Sequence, residues 1–275
     1  MRSSYVLVAT ITTAAIAIGA SLAPAQATDG YGASSSNSFS IGVGGAVGIR
    51  PKYEGSDEYE AFGFPMIFPK FGNNSLGGRV SVNGADDVRF RLWQYNGFEI
   101  GPLAGYAFGR DEDDGDLLRG LGDVDEGFVI GAYAGYNIGP VLLDVSYHQI
   151  VSGDDDGYQI RFGGTLEKEI RRGLVGKVRV GATFADDVYM QSYFGITSAQ
   201  AFSSVAGLSE YEADSGIKDV HVELGATYDL TDRITLKASG KYLRLVGDAA
   251  DSPIVESEDQ FIGMFGATYR FDFNR

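Results

Sequence analysis

A strict alternation of apolar and polar residues in the last 60 residues of the chain most constrains its fold. Over residues 218–230, every second residue is mostly apolar, and the residues between them are polar or small. Period-two alternation predicts β-strands with one apolar and one polar face. Such a run is longer than the ~5–6 residues of an average globular strand. It suits a tilted strand that crosses a membrane, which needs about 9–11 residues.

The same pattern recurs along the whole chain, in strand-length runs separated by alternately short and long connections. Short connections carry turn residues, as at Asn96-Gly97 and Gly139-Pro140, whereas the long ones include 110–125 and 185–215. Outer-membrane barrels have short turns at one end and longer loops at the other. We therefore predict an all-β fold, a transmembrane antiparallel β-barrel of about 12 strands. The runs are 39–50, 59–71, 75–82, 87–94, 97–109, 126–138, 140–151, 157–169, 173–184, 216–230, 232–246 and 260–273.

The N-terminus predicts export from the cytoplasm. Arg2 precedes an apolar stretch over residues 5–20, and Ala25-Gln26-Ala27 is a small-x-small cleavage site, as in secretory signal peptides. An N-terminal membrane anchor is the alternative, although the stretch is shorter than the ~20 residues of a spanning helix. We expect a signal peptide at residues 1–27, a barrel over 28–275, and a location in the outer membrane.

Composition agrees with a barrel and narrows the classes of partner. The chain has 39 Gly, 16 Tyr and 17 Phe, which suit a barrel wall and its aromatic girdles. It has no cysteine, so the fold must be stable without disulfides. The formal net charge of −15 argues against nucleic acid, because that binding begins with neutralisation of phosphates. Outer-membrane lipid and lipopolysaccharide are the expected surroundings, and the oligomeric state stays open.

The alternation also predicts which side chains face the barrel interior. That row is ionic with an excess of basic residues, whereas the loops carry acidic clusters at 111–116 and 154–156. The predicted lumen-lining residues are Arg79, Arg89, Arg91, Glu99, Asp144, His148, Arg161, Glu167, Lys177, Arg179, His221, Glu223, Lys237, Lys241 and Arg270.

The residue types and their spacing give little support for an enzymatic or metal-binding function. A membrane hydrolase needs a nucleophilic Ser oriented by a His. The two histidines, His148 and His221, both fall on inward rows, whereas a lipid-modifying site must open to the bilayer. Asp111 to Asp116 could form a calcium loop, but the spacing is not that of an EF-hand. A solvated acidic loop, or divalent bridging to lipopolysaccharide, is the favoured interpretation. We predict no catalytic residue, no metal site and no cofactor.

The segment 188–209 is unusual because it contains no charged residue and several aromatic ones. Such a stretch is a poor freely solvated loop. It could fold into the barrel mouth, extend the wall as a hairpin, or pack on lipopolysaccharide or a partner. We favour folding into the mouth or packing on the rim, with the inward Arg and Lys rows bonding its polar groups. The candidate lid or docking residues are Tyr189, Gln191, Tyr193, Phe194 and Gln200.

The connections carry motifs that resemble one family of Gram-negative outer-membrane proteins, the MltA-interacting protein (MipA) / OmpV family. The segment at 51–59 resembles the family's P-x-Y-x-G-S-x-x-Y, and the segment at 189–197 resembles Y-x-x-x-Y-F-G-V-T. The other matching segments are Gly109-Arg110, Leu121-Gly122-Asp123-Val124, Gln200-Ala201, residues 211–219, and Gly247-Asp248-Ala249 with Ser252-Pro253-Ile254-Val255. Together they span nearly the whole predicted mature chain in order.

This resemblance implies a barrel that acts as a scaffold for peptidoglycan enzymes. The family's namesake is thought to bring a murein hydrolase, a lytic transglycosylase, together with a penicillin-binding protein. Other members are described as porin-like, osmoregulated or adhesive, so a small-solute channel and a surface adhesin stay open as alternatives. The resemblance brings no residue-level site.

Overall fold

The computed structural model describes residues 38–71, 79–151 and 157–274. Within them, strands alternate with short turns and long loops. The proposed signal peptide at 1–27, the start of the predicted run 75–82 and the acidic cluster 154–156 lie outside the described residues. The strands are β1 (Ser38–Pro51), β2 (Tyr59–Phe71), β3 (Val80–Gly84), β4 (Asp87–Phe90), β5 (Trp93–Tyr95), β6 (Phe98–Ala107), β7 (Gly127–Ile138), β8 (Val141–Ile150), β9 (Tyr158–Arg171), β10 (Leu174–Ala185), β11 (Gly216–Asp229), β12 (Ile234–Leu245) and β13 (Asp259–Asn274). The helices are α1 (Asp187–Phe194), α2 (Ser198–Ser203) and α3 (Asp248–Asp251).

The thirteen strands of the described residues all belong to one antiparallel sheet, which confirms the predicted fold class. The order is β2-β1-β13-β12-β11-β10-β9-β8-β7-β6-β4-β3, and β5 also pairs with β6. The first and last strands of the chain are neighbours, with Ile41 opposite Phe271. The fourth predicted run, 87–94, is divided into β4 and β5 at Arg91-Leu92. The carbonyl of Phe90 there lies where a side chain at Gly101 would be.

The sheet curls so that one face is concave and polar and the other is convex and apolar. Neighbours across a ladder share a face, and Glu223 on β11 lies opposite Lys241 on β12 on the inner face. One residue along, Leu224 is 58% exposed on the outer face, and Phe265 on β13 is 53% exposed there. Such an outward apolar surface with an inward polar one is the pattern of a strand wall in a bilayer.

The two ends of the sheet differ in their connections. The turn end carries tight turns at 96–97, 139–140, 172–173 and 230–233, whereas the loop end carries the long connections. Four of these connections, at 52–58, 108–126, 186–215 and 246–258, pack on one another, and we call them the cap. One buried cluster of the cap takes residues from all four segments, namely Tyr53, Leu118, Leu121, Ile196 and Ile254.

A second buried cluster joins the cap to the barrel wall. In it, helix α1 packs on inward side chains from opposite sides of the sheet, including Tyr133 on β7 and Leu243 on β12. The hydrophobic core of the described chain therefore lies at the mouth of the barrel rather than in its middle. Among the described residues, no helix has the length and the apolar character needed to cross a membrane.

Candidate functional site: a capped ionic lumen

An arginine–carboxylate network crosses the lumen. Arg89 on β4 donates from Nε to Asp87 Oδ1 and from Nη2 to Asp87 Oδ2, both at 2.8 Å, and from Nη1 to Asp144 Oδ2 on β8 at 2.9 Å. Arg179 on β10 approaches the same Asp144 carboxylate and donates to Thr165 Oγ1 at 2.9 Å. Asp144 is 1% exposed at its side chain, so its charge depends on these two guanidinium groups.

The turn between β3 and β4 extends this network across the barrel. The carboxylate of Asp86 in that turn accepts a hydrogen bond from Arg161 on β9, which also bonds Gln159 Oε1. The Asp86 carbonyl lies 3.2 Å from Nδ1 of His148, whose Nε2 lies 2.9 Å from Ser146 Oγ. The close approach of this turn requires glycine at position 105, because a Cβ there would lie 2.4 Å from the Asp86 Cα. The interior is therefore filled by paired side chains at this level.

A β-bulge brings two consecutive charged residues to the inner face of β11. The register of β10 against β11 shifts between Thr183 and Phe184, so that Lys218 is the extra residue. Both Lys218 and Asp219 are consequently buried, at 3% and 2% exposure, with Lys218 Nζ 3.2 Å from Asp219 Oδ2. A β-bulge changes the face of the sheet to which a side chain points, and here it turns Lys218 inward.

The bulge connects the barrel wall to the cap. Lys218 Nζ donates to Glu54 of the first cap loop and lies 5.6 Å from the centroid of the Tyr189 ring on α1. The neighbouring Asp219 is 2.9 Å from Nδ1 of His221. The two histidines of the described chain thus both make hydrogen bonds inside the lumen.

The half of the lumen nearer the turn end contains a cavity. A small cavity there is lined by Lys177, Glu223, Lys237, Ser239 and Met264, and Lys177 bonds Glu223 at 3.1 Å. The remaining predicted lumen residues are distributed around this half or at its rim. Glu167 lies opposite Lys177, and Lys241 lies opposite Glu223. Arg91 is 3.7 Å from Glu99. Arg270 pairs with Asp272 near the turn end, and Arg79 is exposed just before β3.

Helix α1 occupies the mouth of the barrel. Its N-cap Asp186 accepts from Tyr189 N at 3.0 Å and from Tyr158 N of the wall at 2.9 Å, which sets the helix on β9. Tyr189 and Tyr193 stack with their ring centroids 4.3 Å apart, and Phe194 is completely buried. The helix therefore presents an aromatic face to the lumen and packs on the inward side chains at its mouth.

Hydrogen bonds from other cap loops hold the end of α1. Arg110 Nη1 donates to the Tyr193 carbonyl at 2.8 Å, and Ser252 Oγ donates to the Phe194 carbonyl. Tyr193 Oη in turn donates to the carbonyl of Phe108 at 3.1 Å. The bonds from Arg110 and Ser252 satisfy helix carbonyls that would otherwise lack partners. Two cap loops, 108–126 and 246–258, thus fix the end of this helix.

The structure corrects two expectations for the segment 188–209. Its polar groups bond backbone of the cap rather than the inward Arg and Lys rows: Gln191 Oε1 accepts from Ala213 N of the same loop at 3.1 Å, and Gln200 Nε2 donates to the Leu121 carbonyl of another cap loop at 2.7 Å. The extended hairpin among the alternatives is also wrong, because the segment forms α1 and α2. The aromatic residues of the segment differ in exposure: Tyr193 is buried in α1, whereas Phe202 at the end of α2 is 95% exposed.

The carboxylates of the acidic loop 111–116 accept hydrogen bonds from backbone amides of the same cap loop. Asp111 and Asp114 form a reciprocal capping box around a short 3-10 turn. Glu112 accepts from the amides of Gly120 and Gly122, and Asp123 accepts from Glu112 N at 2.8 Å. Among the described residues, no group of three His, Cys, Asp or Glu side chains is arranged to hold a metal ion.

Two buried tyrosines of the cap have shifted acidities. Tyr53 Oη donates to the Ile254 carbonyl and to Glu256 Oε2, both at 3.0 Å. Burial, and then the bond to the Glu256 carboxylate, raises the pKa of Tyr53. Burial, and then the negative charge of Glu54, raises the pKa of Tyr189 well above its ordinary value. Both tyrosines are therefore neutral members of the cap at physiological pH.

Several residues of this network are absent from the sequence-based set. The alternation itself could have found Asp87, which shares the inward row with Arg89. Lys218 could not be found by alternation, because the bulge breaks the period of two. Asp86 lies in a short turn, and no local pattern indicates that the turn leans inward. With these residues included, the upper lumen is a set of ion pairs rather than a basic surface.

Comparison with known proteins gives the family and several relatives. The family model described as MltA-interacting protein MipA matches residues 43–271. Outer membrane protein Omp26La of Vibrio anguillarum is 26% identical over 62% of this chain and 64% of its own. Outer membrane protein OmpV of Vibrio cholerae is 25% identical over the same shares. YiaT of Escherichia coli K12 is 28% identical over 34% of this chain and 36% of its own. The chain thus matches between about a third and two thirds of the length of these relatives.

Solved structures with partial similarity are themselves outer-membrane proteins. An outer membrane channel of Pseudomonas putida F1 has a TM-score of 0.39 and 10% identity, over 85% of this chain and 95% of its own. OmpT of Vibrio cholerae has a TM-score of 0.36 and 10% identity, over 86% of this chain and 99% of its own. The family match covers most of the chain and its relatives are outer membrane proteins, so this outer-membrane β-barrel protein belongs to the MltA-interacting protein MipA family.

Proposed function

We propose that this protein is a non-catalytic scaffold of the outer membrane, which brings together peptidoglycan-remodelling enzymes, a lytic transglycosylase with a penicillin-binding protein. The family name supports an interaction with a wall enzyme. The observation that carries the proposal is the occupied interior: α1 fills the mouth, and the network from Arg89 to Asp144 crosses the lumen below it. A barrel filled in this way offers its surfaces, rather than a passage, for function.

The turn end is the surface that periplasmic enzymes would reach, because outer-membrane barrels place their short turns in the periplasm. Two of the turns lie side by side, since Asp229 N donates to the Gly173 carbonyl at 2.8 Å. They expose Arg171, Arg172 and Arg233. Arg171 also lies 5.4 Å from the ring centroid of Tyr228.

The test is a binding measurement with the full chain in nanodiscs and the two purified enzymes. We expect each enzyme to bind alone and both to bind together. Substitution of Arg172 and Arg233 by Glu reverses charge at the turn end and should weaken the binding, whereas Phe202→Ser at the loop end should not. Failure of both enzymes to bind the wild-type protein contradicts the proposal.

A porin-like small-solute channel is the second candidate, favoured by the small cavity between Lys177 and Lys237 in the lumen. In such a channel the segment 188–209 would act as a lid, with Tyr189, Tyr193 and Phe194 as its inner face. Deletion of residues 190–207 should then produce steady conductance in a barrel that still assembles. An osmoregulated surface protein or adhesin would instead use the cap itself.

A further inference from the structure

The cap exposes an apolar pair that none of the lumen or turn-end contacts uses. Phe202, at the end of α2, is 95% exposed, and Val205 is 75% exposed. We call these two residues the apolar knuckle. They lie within residues 197–209, which carry no charge. Single exposed apolar side chains are common on proteins, so the exposure alone would carry no argument.

The knuckle is held in place rather than left to move with a loop. Thr197 and Gln200 form a reciprocal capping box at the start of α2. Ser203 Oγ donates to the Gly120 carbonyl at 2.7 Å, and Val205 N donates to the Arg119 carbonyl at 3.0 Å. The fit requires glycine at position 120, because a Cβ there would lie 2.2 Å from the Ser203 carbonyl oxygen. Anchors thus lie on both sides of Phe202, yet its side chain contacts water.

The surroundings of the knuckle are acidic. The adjacent loop contributes Asp116, whose side chain is 89% exposed, with Arg119 as its partner at 3.3 Å. Glu112 and Asp123 lie in the same loop, and the chain continues from the knuckle into exposed Glu210 and Glu212. Acidic surroundings repel the phosphates of lipopolysaccharide and attract a basic surface.

We propose that the apolar knuckle is a docking point for a protein or peptide that presents an apolar face bordered by Lys or Arg side chains. A preorganised aromatic side chain is a typical anchor of such interfaces, because little conformational entropy is lost when it is buried. The site lies at the loop end, opposite the turns at which wall enzymes would bind. The docking proposal is therefore independent of the proposed scaffold function.

The experiment uses the full chain in nanodiscs of zwitterionic lipid and a fluorescent amphipathic helical peptide of Leu and Lys as the probe. Anisotropy should show binding above that of empty nanodiscs, and Phe202→Ser with Val205→Ser should weaken it about tenfold. Asp116→Asn with Glu210→Gln should weaken it severalfold and reduce its salt dependence. A matched peptide of Leu and Glu should not bind. Val188→Ser, which changes an exposed residue of α1 instead, should leave binding unchanged.

Hydrogen exchange of the α2 amides shows whether each variant keeps the cap folded, and Phe202→Ser alone gives a second variant that removes only an exposed ring. Equal binding of the Lys peptide to the wild-type protein and to a folded knuckle variant overturns the proposal. Equal binding of the Glu peptide overturns it as well. A knuckle variant that instead loses affinity for nanodiscs containing lipopolysaccharide would show that the occupant is lipid, which also overturns it.

Discussion

Lys218 on the barrel wall donates hydrogen bonds to both carboxylate oxygens of Glu54 in the first cap loop, at 2.8 and 2.9 Å. The lysine side chain is 4% exposed and also pairs with Asp219, so one buried ammonium group joins the wall, the cap and the bulge. This junction joins the packing of α1 in holding the cap on the barrel wall.

We expect Lys218→Met to loosen the cap. The substitution keeps an unbranched side chain but leaves Asp219 buried without its ammonium partner, which should lower the free energy of unfolding by about 3–5 kcal/mol. Urea unfolding in vesicles measures this loss, and hydrogen exchange should rise first in α1. The control is Lys52→Met, which removes the more exposed ion pair with Glu58 and should cost at most about 1 kcal/mol. Similar losses for both variants would show that Lys218 has no special role.

The two faces of β11 should differ in their tolerance of charge. Leu224 is on the lipid-facing row, so Leu224→Arg should cost about 2–4 kcal/mol or prevent assembly, as arginine near the bilayer midplane does. Glu223→Gln, one residue away in the lumen, keeps an oxygen for Lys177 and should assemble. Heat-modifiable migration on gels distinguishes folded from unfolded barrels. Normal assembly of Leu224→Arg would place this row away from the lipid.

Alkaline pH should release the cap. The pKa of Tyr53 and that of Tyr189 are raised in the folded state, so folding favours their protonated forms. The cap is therefore fully stable below the ordinary tyrosine pKa of about 10 and loses stability as the pH rises from there towards the raised values. Phenolate absorbance should show late-ionising tyrosines together with faster exchange in α1. Tyr53→Phe with Tyr189→Phe should reduce this dependence, and an unchanged profile would contradict it.

The barrel wall could be predicted from sequence because each strand repeats one physical signal. A residue that faces lipid must be apolar, so the period of two survives from β6 to β13, and the predicted run 126–138 became Gly127–Ile138. The alternation no longer predicts which face a side chain is on where the backbone departs from the period of two. The bulge at Lys218 and the break at Arg91 are such departures, and alternation cannot reveal them.

The cap was only partly predictable. The absence of charge over 188–209 predicts a packed segment, and in its first part Tyr193 and Phe194 are buried. The partners could not be inferred, because Arg110 and Ser252 reach the end of α1 from loops that are distant along the chain. Phe202 belongs to the same uncharged segment yet faces water, since only tertiary packing decides which side of α2 is covered.

The central claim is that the lumen is closed by α1 and by the ion pairs beneath it, so that the protein acts through its surfaces. Electrical recording of the full chain in a planar lipid bilayer tests this most directly. We predict no steady open-channel steps for the wild-type protein, over a range of voltages and salt concentrations. Stable, reproducible conductance steps from the intact, correctly folded protein would contradict the account and favour a small-solute channel.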